Sequence, residues 1–182
     1  MKKTWLAALL CMMICLSGCG SELSEEAAAL QGKWAYIHDE TTVILALKNS
    51  GKALYHDEEY ERYDCDGEWI NLTAADGEEI KLRYFADGED IYLYEPAVYT
   101  YTGDGTPEGI VGTWENGNWS FEFTEEGSFK EDGYFPGRYS VNEAEGSFKL
   151  MYNDPFEDTT CYYHMDGREM LVEYPWHMVK AK

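Results

Sequence analysis

The segment Leu30-Gln31-Gly32-Lys33-Trp34 returns 80 residues later as Ile110-Val111-Gly112-Thr113-Trp114. Other landmarks follow in the same order. Ser50-Gly51-Lys52-Ala53 is answered by Glu126-Gly127-Ser128-Phe129, and Arg62-Tyr63 by Arg138-Tyr139. Asp87-Gly88 ahead of Ile91 and Leu93 is answered by Asp166-Gly167 ahead of Met170 and Val172. Offsets that stay between 76 and 80 define a tandem duplication of a unit of about 75 residues. Whatever the unit folds into, the chain must build it twice.

Each unit reads as short strands. Ile80, Leu82 and Tyr84 alternate with Lys81 and Arg83, and Trp119, Phe121 and Phe123 with Ser120 and Glu122. Phe148, Leu150 and Tyr152 alternate in the same way, as do Met170, Val172 and Tyr174. A period of two buries one face of a pleated sheet and leaves the other wet. Asn49-Ser50-Gly51, Asp66-Gly67, Asp76-Gly77, Asp87-Gly88, Glu126-Gly127, Asp132-Gly133 and Asp166-Gly167 punctuate these runs. Asp-Gly between alternating runs signals a tight hairpin, because both residues tolerate positive φ. The expectation is an all-β chain of two tandem antiparallel up-and-down meanders, each of six or seven strands, closed as small barrels or half-barrels. Residues 24–30 alone look helical, with Ser24 as cap and Glu25 and Glu26 in the first turn. The units span 30–102 and 110–182, and the Gly-rich stretch 103–109 links them.

Gly32-x-Trp34 and Gly112-x-Trp114 each open the first strand of a β meander. In that position the motif resembles the lipocalin-like families of bacterial lipoproteins. The resemblance implies a barrel in which Trp34 and Trp114 close one end of each core. The unit departs from the family in length, being about half a lipocalin. Eight strands just enclose a small-ligand cavity, so shorter units are expected to be filled solid, and no ligand residue carries over.

Lys2 and Lys3 precede an apolar run, Trp5 to Leu16, that is too short to span a bilayer. It fits a cleavable export signal covering residues 1–18. Leu16-Ser17-Gly18-Cys19 resembles the lipobox of bacterial lipoproteins. That resemblance implies cleavage before Cys19 and lipid attachment at Cys19, with residues 19–29 as a lipidated tether and short helix. Two or three acyl chains make a stable anchor. The expected address is extracytoplasmic, on the outer face of a bacterial membrane.

Removing residues 1–18 takes away two lysines and no acid, which moves the formal charge from −21 to −23. Such a field argues against nucleic acid, which needs clustered Lys and Arg, and favours a cationic ligand or a basic partner. Cys65 and Cys161 are the cysteines left after lipidation, and they lie in different units. An exported pair can form a disulfide. Two small buried residues are the equal alternative.

No catalytic or cofactor motif is present. His38, His56, His164 and His177 lack metal-ligand spacing. His38-Asp39-Glu40 and His56-Asp57-Glu58-Glu59 read as exposed loop ends, and Asp64-Cys65-Asp66-Gly67-Glu68 as a solvated hairpin turn rather than a calcium loop. Glu125-Glu126 and Glu131-Asp132 read the same way. Tyr92, Tyr94, Tyr99, Tyr101 and Trp176 form the remaining aromatic candidates, either as a binding face or as packing between the units.

These readings converge on a lipid-anchored binding or interaction module without catalysis, metal or cofactor. Its partner is an envelope protein or a small ligand, with a cationic one favoured. An inhibitor or immunity-type lipoprotein that blocks an exported enzyme is the alternative, and would carry a protruding N-terminal or loop segment that reaches into an active site. A hydrolase is the third reading, and would show a cleft of convergent carboxylates, one with a raised pKa.

Overall fold

The computed structural model describes residues 23–117 and 119–182. The expected export signal and the expected lipid attachment at Cys19 lie outside the described residues. Helix α1 covers Glu25–Ala29. The first seven strands are β1 Gly32–Tyr36, β2 Leu45–Leu47, β3 Ala53–Tyr55, β4 Glu58–Tyr60, β5 Arg62–Cys65, β6 Trp69–Thr73 and β7 Glu79–Asp87. The long β8, Asp90–Tyr101, ends the first unit. After it come β9 Gly112–Asn116, β10 Trp119–Phe123, β11 Ser128–Glu131, β12 Phe135–Asn142, β13 Ser147–Tyr152 and β14 Thr159–Asp166. The equally long β15, Glu169–Lys180, ends the second unit. The chain is all-β, every pairing is antiparallel, and the strands follow one another in chain order.

With β4 and β5 counted as one bent strand, each unit supplies seven strands, one too few for an eight-stranded barrel, and the long strands make up the difference. β8 and β15 pair over ten positions, from Glu169–Thr100 to Met178–Ile91. The C-terminal end of β8, Thr100 and Tyr101, then pairs with β9, and the N-terminal half of β15 with β14. This closes β8 through β15 into an eight-stranded ring. The other halves overhang. The start of β8 pairs with β7, and the end of β15 pairs with β1. β1 to β7 complete a second ring on these overhangs, in which β4 and β5 act as one strand bent at Glu61. Glu61 is an extra residue relative to the straight β12, and the Tyr63 amide still bonds Gly51 as the Tyr139 amide bonds Gly127.

Matching the two units by their pairings aligns Ile91 with Met170, Leu93 with Val172 and Pro96 with Pro175. A local twofold axis therefore passes through the Glu95–Tyr174 pair. Period-two alternation puts Ile91, Leu93, Glu95, Ala97 and Tyr99 on one face of β8. Ile91, Leu93 and Met178 enter the first core, while Tyr99, Met170 and Val172 enter the second. Both barrels thus stand on the same face of a shared two-stranded ribbon.

The far end of each barrel is closed by its Gly-x-Trp. Trp34 and Trp114 are fully buried, and each indole donates to the carbonyl four residues earlier, Leu30 at 2.9 Å and Ile110 at 2.8 Å. Gly112 has φ 128°, and a Cβ there would meet the Tyr101 ring at 2.4 Å, so a side chain is excluded twice over. The covers come from the long strands: Tyr101 packs on Trp114, and Lys180 lies 3.5 Å from the Trp34 ring. α1 adds Ala27 and Leu30 to the first core. Its cap is Ser24, whose hydroxyl accepts from the Ala27 amide as expected.

Side chains fill both barrels. Leu45, Ile70, Leu72, Leu82 and Leu93 occupy the first, and Trp114, Phe121, Phe123, Phe148 and Leu150 the second. The bridge between Cys65 and Cys161 does not form. Both are free buried thiols, one in each core, and separate walls keep them apart. Burial pushes the Cys65 thiol up to about 12, helped by Asp64 and Asp66, and raises Cys161 well above the ordinary thiol range. An alkylating reagent near pH 8 is expected to label neither residue in the folded protein and both in denaturant without reductant. A bridged pair would stay unlabelled in either state, as peptide mapping would show.

Candidate functional site

With both tryptophan floors at the far ends, the two barrel mouths face each other across the ribbon's midpoint. The first mouth is plugged. Glu95 accepts from Tyr36 Oη at 2.5 Å and Tyr55 Oη at 3.1 Å, and His56 Nε2 lies 2.9 Å from the same carboxylate. His56 and Asp57, both at positive φ, form the two-residue turn from β3 to β4, which swings the imidazole over the mouth. His56 is thus tied to Glu95 rather than being a bare loop end.

The second mouth is open. A cleft of about 450 Å³ lies between it and the ribbon. Its floor is Glu95, Pro96, Ala97 and Tyr99 of β8 with Tyr174 and Trp176 of β15. Its rim is Asn116, Trp119, Glu131, Asp132 and Phe135, from the ends of β9 to β12. An adjoining hollow of about 300 Å³ shares Glu131, Phe135 and Tyr174 and extends to Tyr152 and Phe156. Trp176 packs against Tyr36 at 5.3 Å and Tyr174 at 5.4 Å, so an aromatic ladder runs from one barrel to the other. Trp119, Phe135, Phe156 and the nearly fully exposed Tyr134 leave apolar surface in water around the rim.

Glu131 is the cleft's distinctive acid. It continues the inward face of β11 after Phe129, and its carboxylate accepts from the Tyr152 hydroxyl. The solvated-turn reading of Glu131-Asp132 is therefore corrected: strand alternation carries Glu131 inward, and Asp132 turns back to accept from the Ser120 amide at 2.7 Å. Burial raises the Glu131 pKa above the usual carboxylate range, Asp132 pushes the same way, and the Tyr152 hydrogen bond opposes them. Burial and the Glu131 charge push Tyr174 up to about 12, and burial also raises Tyr36, Tyr55 and Tyr99, so these phenols remain neutral donors.

A raised folded-state pKa means that folding favours the protonated acid. That contribution is whole below the unfolded value of about 4.3 and is lost as pH rises through the folded value. Glu131→Gln keeps an acceptor for Tyr152. It is expected to melt higher than the parent near pH 7 and level with it near pH 3.5. An equal gap at both pH values would show that ionisation of Glu131 is not the cause.

The back of the waist is locked. The Arg83 guanidinium sits between the Trp69 ring at 4.2 Å and the Tyr162 ring at 3.9 Å, and bonds Glu68 and Glu173. Tyr94 meets Tyr162 edge-on, and Tyr92 stacks on His177. These two tyrosines therefore pack rather than forming a free face. Tyr99 and Trp176 line the cleft, and Tyr101 covers a barrel floor.

Gly32, Trp34, Gly112 and Trp114 lie away from the cleft. His38 stacks beside Tyr36, and His164 lies at the back of the waist. Asp66 accepts from the Glu68 and Trp69 amides within its turn. Among the described residues, no three His, Cys, Asp or Glu side chains gather as a metal site. No described helix is long and apolar enough to cross a membrane. Comparison with protein families, curated proteins and solved structures finds no match to this chain.

Proposed function

We propose that the protein is a bacterial lipoprotein, held on the outer face of a membrane through Cys19, that binds its ligand in the waist cleft without catalysis. The observation that carries this reading is the asymmetry of the mouths. One is plugged by the protein's own side chains around Glu95, and its counterpart is an open, aromatic-lined cleft. Pockets of this size, mostly apolar with a few polar groups, suit small molecules.

The hydrolase reading would make Glu131 a proton donor and Glu95 its partner. The oxygens of Glu95 are already engaged by Tyr36, Tyr55 and His56, which disfavours attack or activation of water. The inhibitor reading draws on the exposed rim, Trp119, Tyr134, Phe135 and Phe156, as a protein-docking surface.

Thermal unfolding of the purified protein against sugars, lipids, divalent ions and polyamines tests the binding reading. A ligand at a hundredfold excess over its Kd stabilises by about 2.7 kcal/mol, and its effect should weaken in Trp119→Ala. No shift with any class would move the search to protein partners. Cys19→Ser is expected to release the protein from membranes; continued membrane association would refute the lipid anchor.

A further inference from the structure

Three times in this fold a cation lies against an aromatic face. Arg83 lies between Trp69 and Tyr162 with Glu68 and Glu173 as counter-charges. Lys180 covers Trp34, and Arg168 sits 5.3 Å from the Tyr101 ring. The waist cleft assembles the same partners without the cation. Trp119, Tyr174 and Trp176 contribute aromatic rings to its lining, Glu131 and Asp132 contribute acids, and among the described residues no Lys or Arg lines it.

In the first mouth the corresponding space holds the protein's own nitrogen base. His56 stands where Asp132 stands in the second unit, its ring 4.4 Å from Tyr55 and its Nε2 on Glu95. Glu131 stands where Tyr55 does. The second copy has thus exchanged an aromatic ring and a base for two acids, beside an open space.

We propose that the cleft takes an organic ammonium cation with an apolar body, its charge directed at Glu131 and its alkyl groups against Trp119 and Trp176. A ring face attracts a desolvated ammonium, and methylated ammonium groups lose little hydration on entering such a site. The raised pKa of Glu131 agrees with an acid buried without a cationic partner. The chain's formal charge of −21 draws cations toward the cleft from a distance. The proposal rests on the reading of the cleft as a binding site, and names its ligand class.

The test is calorimetry and tryptophan fluorescence on the purified protein at near-physiological salt, where long-range attraction is screened. The probes are choline, benzyltrimethylammonium and 3,3-dimethyl-1-butanol, the neutral isostere of choline. The expected result is saturable binding of the cations, at least tenfold tighter than the alcohol. Trp119→Ala, at an exposed rim position, and Glu131→Gln should each weaken it about tenfold or more. Equal binding of choline and the alcohol would overturn the proposal. So would cation binding that neither variant changes, which marks the ion atmosphere of an acidic protein. If neutral ligands alone saturate the cleft in a Trp119-dependent way, the binding reading stands and the cation assignment falls. If neither these probes nor the wider panel binds, both fall.

Discussion

Deleting residues 176–182 is expected to unfold the first barrel, although none of those residues belongs to the first unit. The deletion strips β1 of one of its two partners, since Trp34, Ala35 and Tyr36 pair with Lys180, Val179 and Met178. It removes Met178 from the first core and Lys180 from the face of Trp34. It also leaves Ile91 and Leu93 of β8 without a neighbour on that side. The second ring keeps β8 and the Glu169–Tyr174 part of β15. Hydrogen exchange should find amides of residues 32–73 losing the whole of their protection, on the order of 5 kcal/mol or more. Amides of residues 112–166 should stay protected. Protection across 32–73 equal to that of the intact chain would mean that the overhang does not close the first ring. By the same logic, fragments 23–102 and 103–182 should each fold poorly and should fold together when mixed.

Trp114→Ala is expected to cost about 3–5 kcal/mol, the range for truncating a large buried aromatic. Its indole is fully buried, and its removal also orphans the Ile110 carbonyl. At this chain length each kcal/mol moves Tm by about 2–4 °C, so a fall on the order of 10 °C should follow. The shared strands give this variant a further signature. Because β8 and β15 are walls of both rings, the loss should be felt in both, and near-ultraviolet and far-ultraviolet dichroism should report one coincident transition. A melt that splits in two, with the first barrel unmoved, would show that the ribbon does not couple them.

Much of the architecture was legible because hairpins are local. Asp66-Gly67, Asp87-Gly88 and Asp166-Gly167 all mark turns between paired strands, and Ile70, Leu82, Phe148 and Leu150 point inward as alternation requires. Gly51 and Gly127 each accept from the tyrosine amide of an Arg-Tyr pair. The pairing of β8 with β15 was not legible, because nothing local encodes contact between Ile91 and Met178. Its trace is the alternation that runs on through Pro96 and Pro175 at matching positions. The inward placement of Glu131 escapes the sequence for a related reason. An acid next to Asp-Gly looks like a turn, and only its parity with Phe129 points it inward. Trp119 reads from the sequence as a strand residue. Its place at the cleft rim depends on the other unit, which no spacing within the strand records.

The ribbon also sets a timetable. A growing chain at about 5–20 residues per second emerges N-terminus first. Trp34 must then wait for Lys180, on the far strand β15, before its strand has both neighbours. The first unit is thus completed only once the second has been made, and neither barrel closes before β15 has emerged.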